Sequence, residues 1–427
     1  MNKININFNN IIGEMKPLHG VGQPPSVGIN FSLYDYLKEA LVPFSRLHDA
    51  KYANTYDIVD IPVIFPDFNA DPYDAESYDF AFTDLVITAL VERGIMPFFR
   101  LGVSIENFVH VKAYHVFPPK DNLKWAQICE GIIRHYTEGW ANGFYYDMKY
   151  WEIWNEPEGD QMWIGTKEQF FELYKVASKY LKEKFPHLKI GGYASCGFYA
   201  IAENADAKNS MVEPRFLYYY EYIQDFLKFI AENNCPLDFF SWHSYDGIEN
   251  NVLYAKHARE LLDKAGYTET EQTLNEWNCR AELRGTAEHT ALTCGMMLAL
   301  QNTPMDSAMF YDARCGISIY SGMFNPLTKK PFLAYYAFLA YAELYRRKQQ
   351  VEVTMDIPGV YACAAKAENG CIVIANTNAK DIEYSFDITG EYSVARSVQV
   401  SETHEWKEVC VSGKLPAHSV VCIYFES

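Results

Sequence analysis

The chain has 427 residues, enough for one large domain with a small companion or for two to three ordinary ones. Apolar residues make up 49% of it, and 27 Phe, 32 Tyr and 8 Trp supply the bulk of a large globular core. The net charge of −18 argues against a polyanionic partner, because nucleic-acid binding draws its affinity from Lys and Arg on phosphates; the expected ligand is neutral or small.

The first residues, "MNKININFNNIIGEMK", alternate polar and apolar side chains and lack the apolar stretch and small-residue cleavage site of a signal peptide. From residue 16 to 347, short apolar runs alternate with longer segments of helical period. The strand candidates "KPLHGVG" and "PFSRLHD" come first, and the helical "YDFAFTDLVITALVERG" leads into "IMPFFRLG". The helical "NLKWAQICEGIIRHYTEGW" precedes "KYWEIWNE", and "TKEQFFELYKVASKYLKEKFP" precedes "KIGGYAS". Then follow "LDFFSWHSY", "EQTLNEWN", the helical "GTAEHTALTCGMMLALQN" and "DSAMFYDA". Eight strands, each followed by a helix, spell an α/β fold, the (β/α)8 TIM barrel.

After residue 348 the period changes to two, as in "GVYACAAKAENGCIVIANTNAKDIEYSFDITGEYSVARSVQVS" and "GKLPAHSVVCIYFES". We expect a smaller antiparallel β-sandwich domain over 348–427, with 1–15 adding a strand through "KININF", beside a catalytic barrel over 16–347. No run of eighteen apolar residues offers a membrane span. The ten Cys are scattered, with no CxxC pair and no grouping with His at metal-ligand spacing, and read as reduced core thiols of a cytoplasmic protein.

In such a barrel the reactive groups come from the C-terminal ends of the strands. The fourth strand ends in Asn155-Glu156-Pro157 and the seventh in Asn275-Glu276-Trp277-Asn278. From Glu156 to Glu276 is 276 − 156 = 120 residues, which suits three βα units with inserted loops. A single Glu at a strand end is ordinarily a cap or an ion-pair partner. Two of them, in aromatic contexts and across the mouth from each other, are the equipment of glycoside hydrolysis, in which one acid protonates the leaving oxygen and the other attacks or directs water.

"WEIWNEPEG" followed by "TLNEWN" resembles the clan of (β/α)8 glycosidases whose acid/base follows an Asn on strand four and whose nucleophile ends strand seven. Within that clan the chain looks most like glycoside hydrolase family 39, over both domains. The resemblance implies Glu156 as acid/base, Glu276 as nucleophile, and Asn155 on the sugar's 2-hydroxyl. "SRLHD" resembles the family's Arg-x-His strand end, so Arg46 would pair with Glu276 and His48 would contact a sugar hydroxyl. "DFFSWHSY" resembles its Ser-x-His-x-Tyr strand, which places His243 and Tyr245 around the nucleophile. Two departures stand out: Glu276-Trp277-Asn278 where the family usually shows Glu-Phe-Asn, and "FYDARCG" where a Trp platform is common. The seventh-strand change also resembles the arabinofuranosidases of family 51.

Strand alternation puts Glu152, Trp154 and Glu156 on one face and Trp151, Ile153 and Asn155 on the other. Glu152 then points inward and needs a partner, Arg46 or Arg100. Glu158 and Asp160 read as solvated loop residues. Trp125, Trp163, Trp242 and Trp277 are candidates to stack on sugar faces, with Trp163 and Trp277 assigned to substrate binding. Arg46 should favour ionised Glu276, while Glu156, walled by aromatic rings and facing a negative partner, should be raised and protonated near neutral pH.

The expected function is a retaining glycosidase acting on plant-type oligosaccharides, an exo-acting β-xylosidase first. The alternatives are release of arabinose or arabinobiose from arabinan or arabinogalactan side chains and, in another class, a non-catalytic sugar-binding protein. Neither a metal nor a cofactor is expected, the partner is a small oligosaccharide rather than nucleic acid or membrane, and the oligomeric state stays open.

Overall fold

The computed structural model describes residues 2–52, 57–103, 116–202 and 214–426. The chain opens with β1 (Asn2–Glu14) and then winds the barrel: β2 (Gly20–Gly22), α1 (Leu33–Glu39), β3 (Phe44–Leu47), α2 (Ile61–Ile64), α3 (Thr83–Val91), β4 (Met96–Leu101), α4 (Asn122–Thr137) and β5 (Tyr150–Ile153). It continues through α5 (Lys167–Lys184), β6 (Lys189–Ser195), α6 (Pro214–Glu232), β7 (Phe239–Ser244), α7 (Ile248–Lys264), β8 (Glu271–Trp277), α8 (Ala287–Leu300), β9 (Ser307–Tyr311) and α9 (Tyr335–Tyr345).

Strands β2 to β9 pair in sequence order, all parallel, and β9 returns to β2 through Val21 and Phe310 to close the barrel. Parallel neighbours cannot be joined by a tight turn, so each crossover runs outside the sheet, and the four helical segments named from the sequence hold α3, α4, α5 and α8. The (β/α)8 barrel expected from the alternation is thus present, with each of its eight strands falling inside one of the predicted runs.

The barrel interior changes character along its axis. Phe44, Phe98, Phe239 and Met309, with Met96 and Tyr150, fill the lower layer. Two residues further along β3, β4 and β5 come Arg46, Arg100 and Glu152, all buried and, by the period of two, directed inward as well. An apolar plug therefore supports a charged floor, and the strand ends above that floor form the mouth.

The rest of the chain builds a second sheet from β10 (Gln349–Met355), β11 (Val360–Lys366), β12 (Gly370–Asn376), β13 (Ile382–Thr389), β14 (Ser393–Val400), β15 (Lys407–Val409), β16 (Lys414–Leu415) and β17 (Ser419–Glu426). With β1 it forms a nine-stranded ladder ordered β15-β14-β17-β12-β11-β10-β1-β13-β16. Most pairs are antiparallel; β1 runs antiparallel to β10 (Ile4 opposite Met355) and parallel to β13 (Asn2 opposite Tyr384). The ladder folds over a core of its own, because Phe386 of β13 comes within 6.4 Å of Phe425 of β17 although four strands separate them in hydrogen-bonding order. Its other face, with Cys363, Cys371, Val373 and Tyr424, merges with the core under α8 and α9. All ten Cys are free thiols, and Cys410 is exposed rather than core. Among the described residues, no helix is long and apolar enough to cross a membrane.

Candidate active site

Arg46 organises the mouth. Its guanidinium is buried and uses each of its three nitrogens: Nε donates to Glu152 Oε2 at 2.8 Å, Nη1 to Glu276 Oε2 at 3.1 Å and Nη2 to Asn155 Oδ1 at 2.6 Å. One rigid fork from β3 thereby fixes groups on β5, on the residues that follow it, and on β8. Of the two partners considered for Glu152, Arg46 is the one found, and Asn275 Nδ2 completes that carboxylate at 2.5 Å. Arg100 turns instead to Asp60 at 2.5 Å and to the His48 carbonyl at 3.1 Å.

Simple alternation fails at both strand ends that carry the carboxyls. After β5, Trp154 and Glu156 adopt positive φ of 73° and 44°, and the Glu156 amide bonds to the Ala194 carbonyl at 3.0 Å. That left-handed backbone, costly for side chains other than Gly, breaks the pleat. Asn155 and Glu156 then both reach the mouth, while Trp154 turns away to donate to the Met162 carbonyl at 2.9 Å and to pack on Trp125 and Trp163. The expected grouping of Trp154 with Glu152 and Glu156 is therefore corrected. On β8 the register with β7 slips between Trp242 and His243, so Asn275 and Glu276 both face inward.

Glu276 is buried and receives the Tyr245 hydroxyl on Oε1 at 2.5 Å in addition to Arg46 on Oε2. Glu156 is more open, its side chain 28% exposed against 9% for Glu276, and its Oε1 lies 2.7 Å from His243 Nδ1. Burial drives the His243 pKa down to about 4, which keeps the ring neutral with a single proton. With that proton on Nδ1, His243 donates to Glu156, and Nε2 stands 3.8 Å from Glu276. Burial pushes Glu156 up to about 7, Arg46 opposes it, and the charge of Asp49 adds to it. Glu276 is also raised, because burial, with the charge of Glu156 adding to it, outweighs the lowering by His243, Arg46 and the Tyr245 bond. The pull of Arg46 has the expected sign without prevailing.

One oxygen each from Glu156 and Glu276 and a ring nitrogen of His243 lie within 4.8 Å of one another, a grouping compact enough to hold a metal ion. The fixed positive charge of Arg46 on Glu276 opposes a cation there.

His48 ends β3 buried beside the mouth, with Nε2 3.4 Å from Asp49 Oδ1. Asp49 is a site residue that sequence reasoning passed over. It accepts from the Tyr311 hydroxyl at 2.9 Å and from the Gln23 amide, while Asp312 beside it pairs with Arg314 at 3.0 Å. Its place in "SRLHD", next to a residue singled out, was the available signal.

Two other expectations are corrected. Trp163 and Trp277 offer no ring face to a sugar: Trp163 is buried against Trp154 and Phe170, and Trp277 packs outward on Phe310. Trp125 and Trp242 are buried likewise. Tyrosines line the mouth in their place. Glu158 is not solvated; it is buried, accepts from Ser195 Oγ at 2.8 Å and from the Cys196 amide at 3.2 Å, and is raised to about 7 chiefly by burial. Asp160 is exposed as expected.

A carboxyl pair held over a buried arginine at the C-terminal mouth of a (β/α)8 barrel is the equipment of the barrel glycosidases as a class. Comparison with known proteins narrows the class. The family model of the glycosyl hydrolases family 39 matches residues 57–272, which is 272 − 57 + 1 = 216 of the 427 residues, and the chain belongs to that family. A β-xylosidase of Geobacillus stearothermophilus is 30% identical over 177 residues, 39% of this chain but only 31% of that relative's length. Among solved structures, a glucosidase from Croceicoccus marinus matches with a TM-score of 0.79 at 21% identity, over 100% of this chain and 99% of that one. A monomeric β-xylosidase from Caulobacter crescentus CB15 matches with a TM-score of 0.70 at 16% identity, over 100% and 99%. At such identities the structural matches speak for the fold.

Proposed function

We propose that the chain hydrolyses glycosidic bonds with retention of anomeric configuration, by double displacement, and that its substrate is a β-xyloside from which it releases xylose. The observation that carries the reading is the closeness of the pair: one oxygen of Glu156 and one of Glu276 come within 4.8 Å of each other, in keeping with the roughly 5 to 5.5 Å carboxyl separation of retaining enzymes.

The mechanism gives the two acids different parts. Glu276, anchored by Arg46 and Tyr245, attacks the anomeric carbon in its ionised form and becomes the ester oxygen of a glycosyl-enzyme. Glu156, raised to about 7 and the more open of the two, gives its proton to the departing oxygen. Esterification removes the charge on Glu276, which lowers the affinity of Glu156 for a proton. Glu156 then accepts one from water as that water attacks the anomeric carbon and frees Glu276. His243 holds Glu156 through Oε1, leaving Oε2 for the substrate.

The choice of xylose rests on the sequence match to β-xylosidases over part of their length. A panel of chromogenic glycosides, with the first-formed anomer read by proton NMR, tests both halves. Highest kcat/KM on the β-D-xylopyranoside with β-xylose formed first is the expected result. An α-anomer formed first from that substrate refutes the mechanism, and a hexoside or uronide as best substrate refutes the sugar.

A further inference from the structure

Two groups of aromatic rings stand at the mouth. Tyr245 bonds to Glu276, and its ring stands 5.1 Å from Tyr320 and 6.3 Å from Tyr311. These three crowd the nucleophile. A second group stands beyond β6, the strand to which the Glu156 amide is bonded through the Ala194 carbonyl at 3.0 Å. Tyr199 follows β6, and Phe216 and Tyr219 lie on the first turns of α6; Tyr199 is 4.9 Å from Phe216, which is 6.3 Å from Tyr219. Burial first raises the hydroxyls of Tyr199 and Tyr219, and the charge of Glu156 adds to it.

The helix pattern separates these rings from the core. Tyr222, Ile223, Phe226 and Ile230 form the buried stripe of α6. Phe216 and Tyr219 continue it toward the N-terminus at helical spacing, and both residues are only half-buried. Tyr199, also half-buried, is held by its hydroxyl, which accepts the Tyr245 amide at 2.8 Å. Three half-buried aromatic rings thus stand together just past the strand that holds the backbone of the proton donor.

Glu156 delivers its proton to the leaving oxygen, so the leaving group must lie on its side of the scissile bond. We propose that Tyr199, Phe216 and Tyr219 form the leaving-group subsite and stack on the apolar face of a second sugar ring. The inference rests on the glycosidase reading and goes beyond it by assigning where the departing sugar sits.

The test compares substrates with and without a departing sugar, using the sugar that the glycoside panel selects: xylobiose and β-D-xylosyl fluoride on the reading above. Fluoride fills no leaving-group subsite and needs little protonation. In the double variant F216A/Y219A, kcat/KM for the disaccharide should fall about tenfold, two ring contacts' worth, while the fluoride stays within about twofold of wild type. Tyr219→Phe, which keeps the ring, should retain disaccharide turnover and melt like wild type. Equal losses on both substrates, or no loss on either, overturn the subsite alone. A wild-type chain inert toward every glycoside overturns the function and the subsite together.

Discussion

Replacing Tyr245 by Phe removes one hydroxyl and little else. The Tyr245 amide bond to Tyr199 belongs to the backbone, and the ring contacts with Tyr311 and Tyr320 need no oxygen, so the variant should fold as the wild type does. What it loses is a 2.5 Å hydrogen bond to Glu276 Oε1 that holds down a pKa already raised by burial. A hydrogen bond to a charged group contributes about 1.5 to 3 kcal/mol, and about 1.4 kcal/mol corresponds to one pH unit. The nucleophile acts ionised, so losing a group that favours ionisation moves the acid limb of kcat/KM upward by about one to two units. On the acid side of that limb kcat/KM should fall about 10- to 150-fold, and less above it. The assay is a pH profile of kcat/KM on an activated aryl glycoside, with the melting temperature as control. An acid limb that stays in place, or moves down, in a folded variant refutes the assignment of Tyr245 to the nucleophile.

Four further outcomes follow from the same geometry. Glu156, raised to about 7, must be protonated for the first step, so kcat/KM should decline as pH rises through about 7; a profile flat to pH 9 contradicts its role. Glu276→Ala should be inactive on every substrate, whereas Glu156→Ala should keep turnover of substrates with good leaving groups and gain rate with azide, giving a β-glycosyl azide from a β-glycoside, which product analysis detects. Glu158 is raised from its ordinary 4.5 to about 7 by burial, so its ionisation costs the folded state stability as pH rises across that window, a term on the order of 3 kcal/mol. In Glu158→Gln the melting temperature relative to wild type should climb from pH 5 to pH 8, and a constant difference argues against the shift. Treatment with a chelator should leave turnover unchanged, and loss that a divalent ion restores would give the Glu156, His243 and Glu276 grouping a different occupant.

The barrel was legible because its strands are short apolar runs ending in polar residues, and its crossovers carry a helical period. Glu156, Glu276, Arg46, Asn155, His243 and Tyr245 were legible as strand-end residues, and the structure brings them together. The direction in which each points was harder to read. Alternation works while the pleat is regular, and it is lost where Trp154 takes a positive φ and where β8 slips against β7. Trp163 and Trp277 were misassigned because a Trp near a mouth motif has the same letter whether it faces sugar or core. Glu158 was misread because its partners, Ser195 and the Cys196 amide, come from the next strand's end some forty residues on. The rings of Tyr199, Phe216 and Tyr219 gave no local signal, since their common position depends on how α6 leaves the barrel.

Strand β1 finds its sheet partners far along the chain, with Ile4 opposite Met355 and Asn2 opposite Tyr384, so they are made long after it. Until those residues leave the ribosome, Ile4, Ile6 and Phe8, which end up buried, have no sheet to enter. The face of α8 and α9 that the second sheet covers is likewise bare during that interval. A nascent chain of this kind therefore carries an unpaired strand and an uncovered apolar face past a completed barrel, the condition in which neighbouring chains exchange strands. The Asn residues that alternate with the isoleucines of β1, Asn5 and Asn7 among them, keep one side of that waiting strand wet.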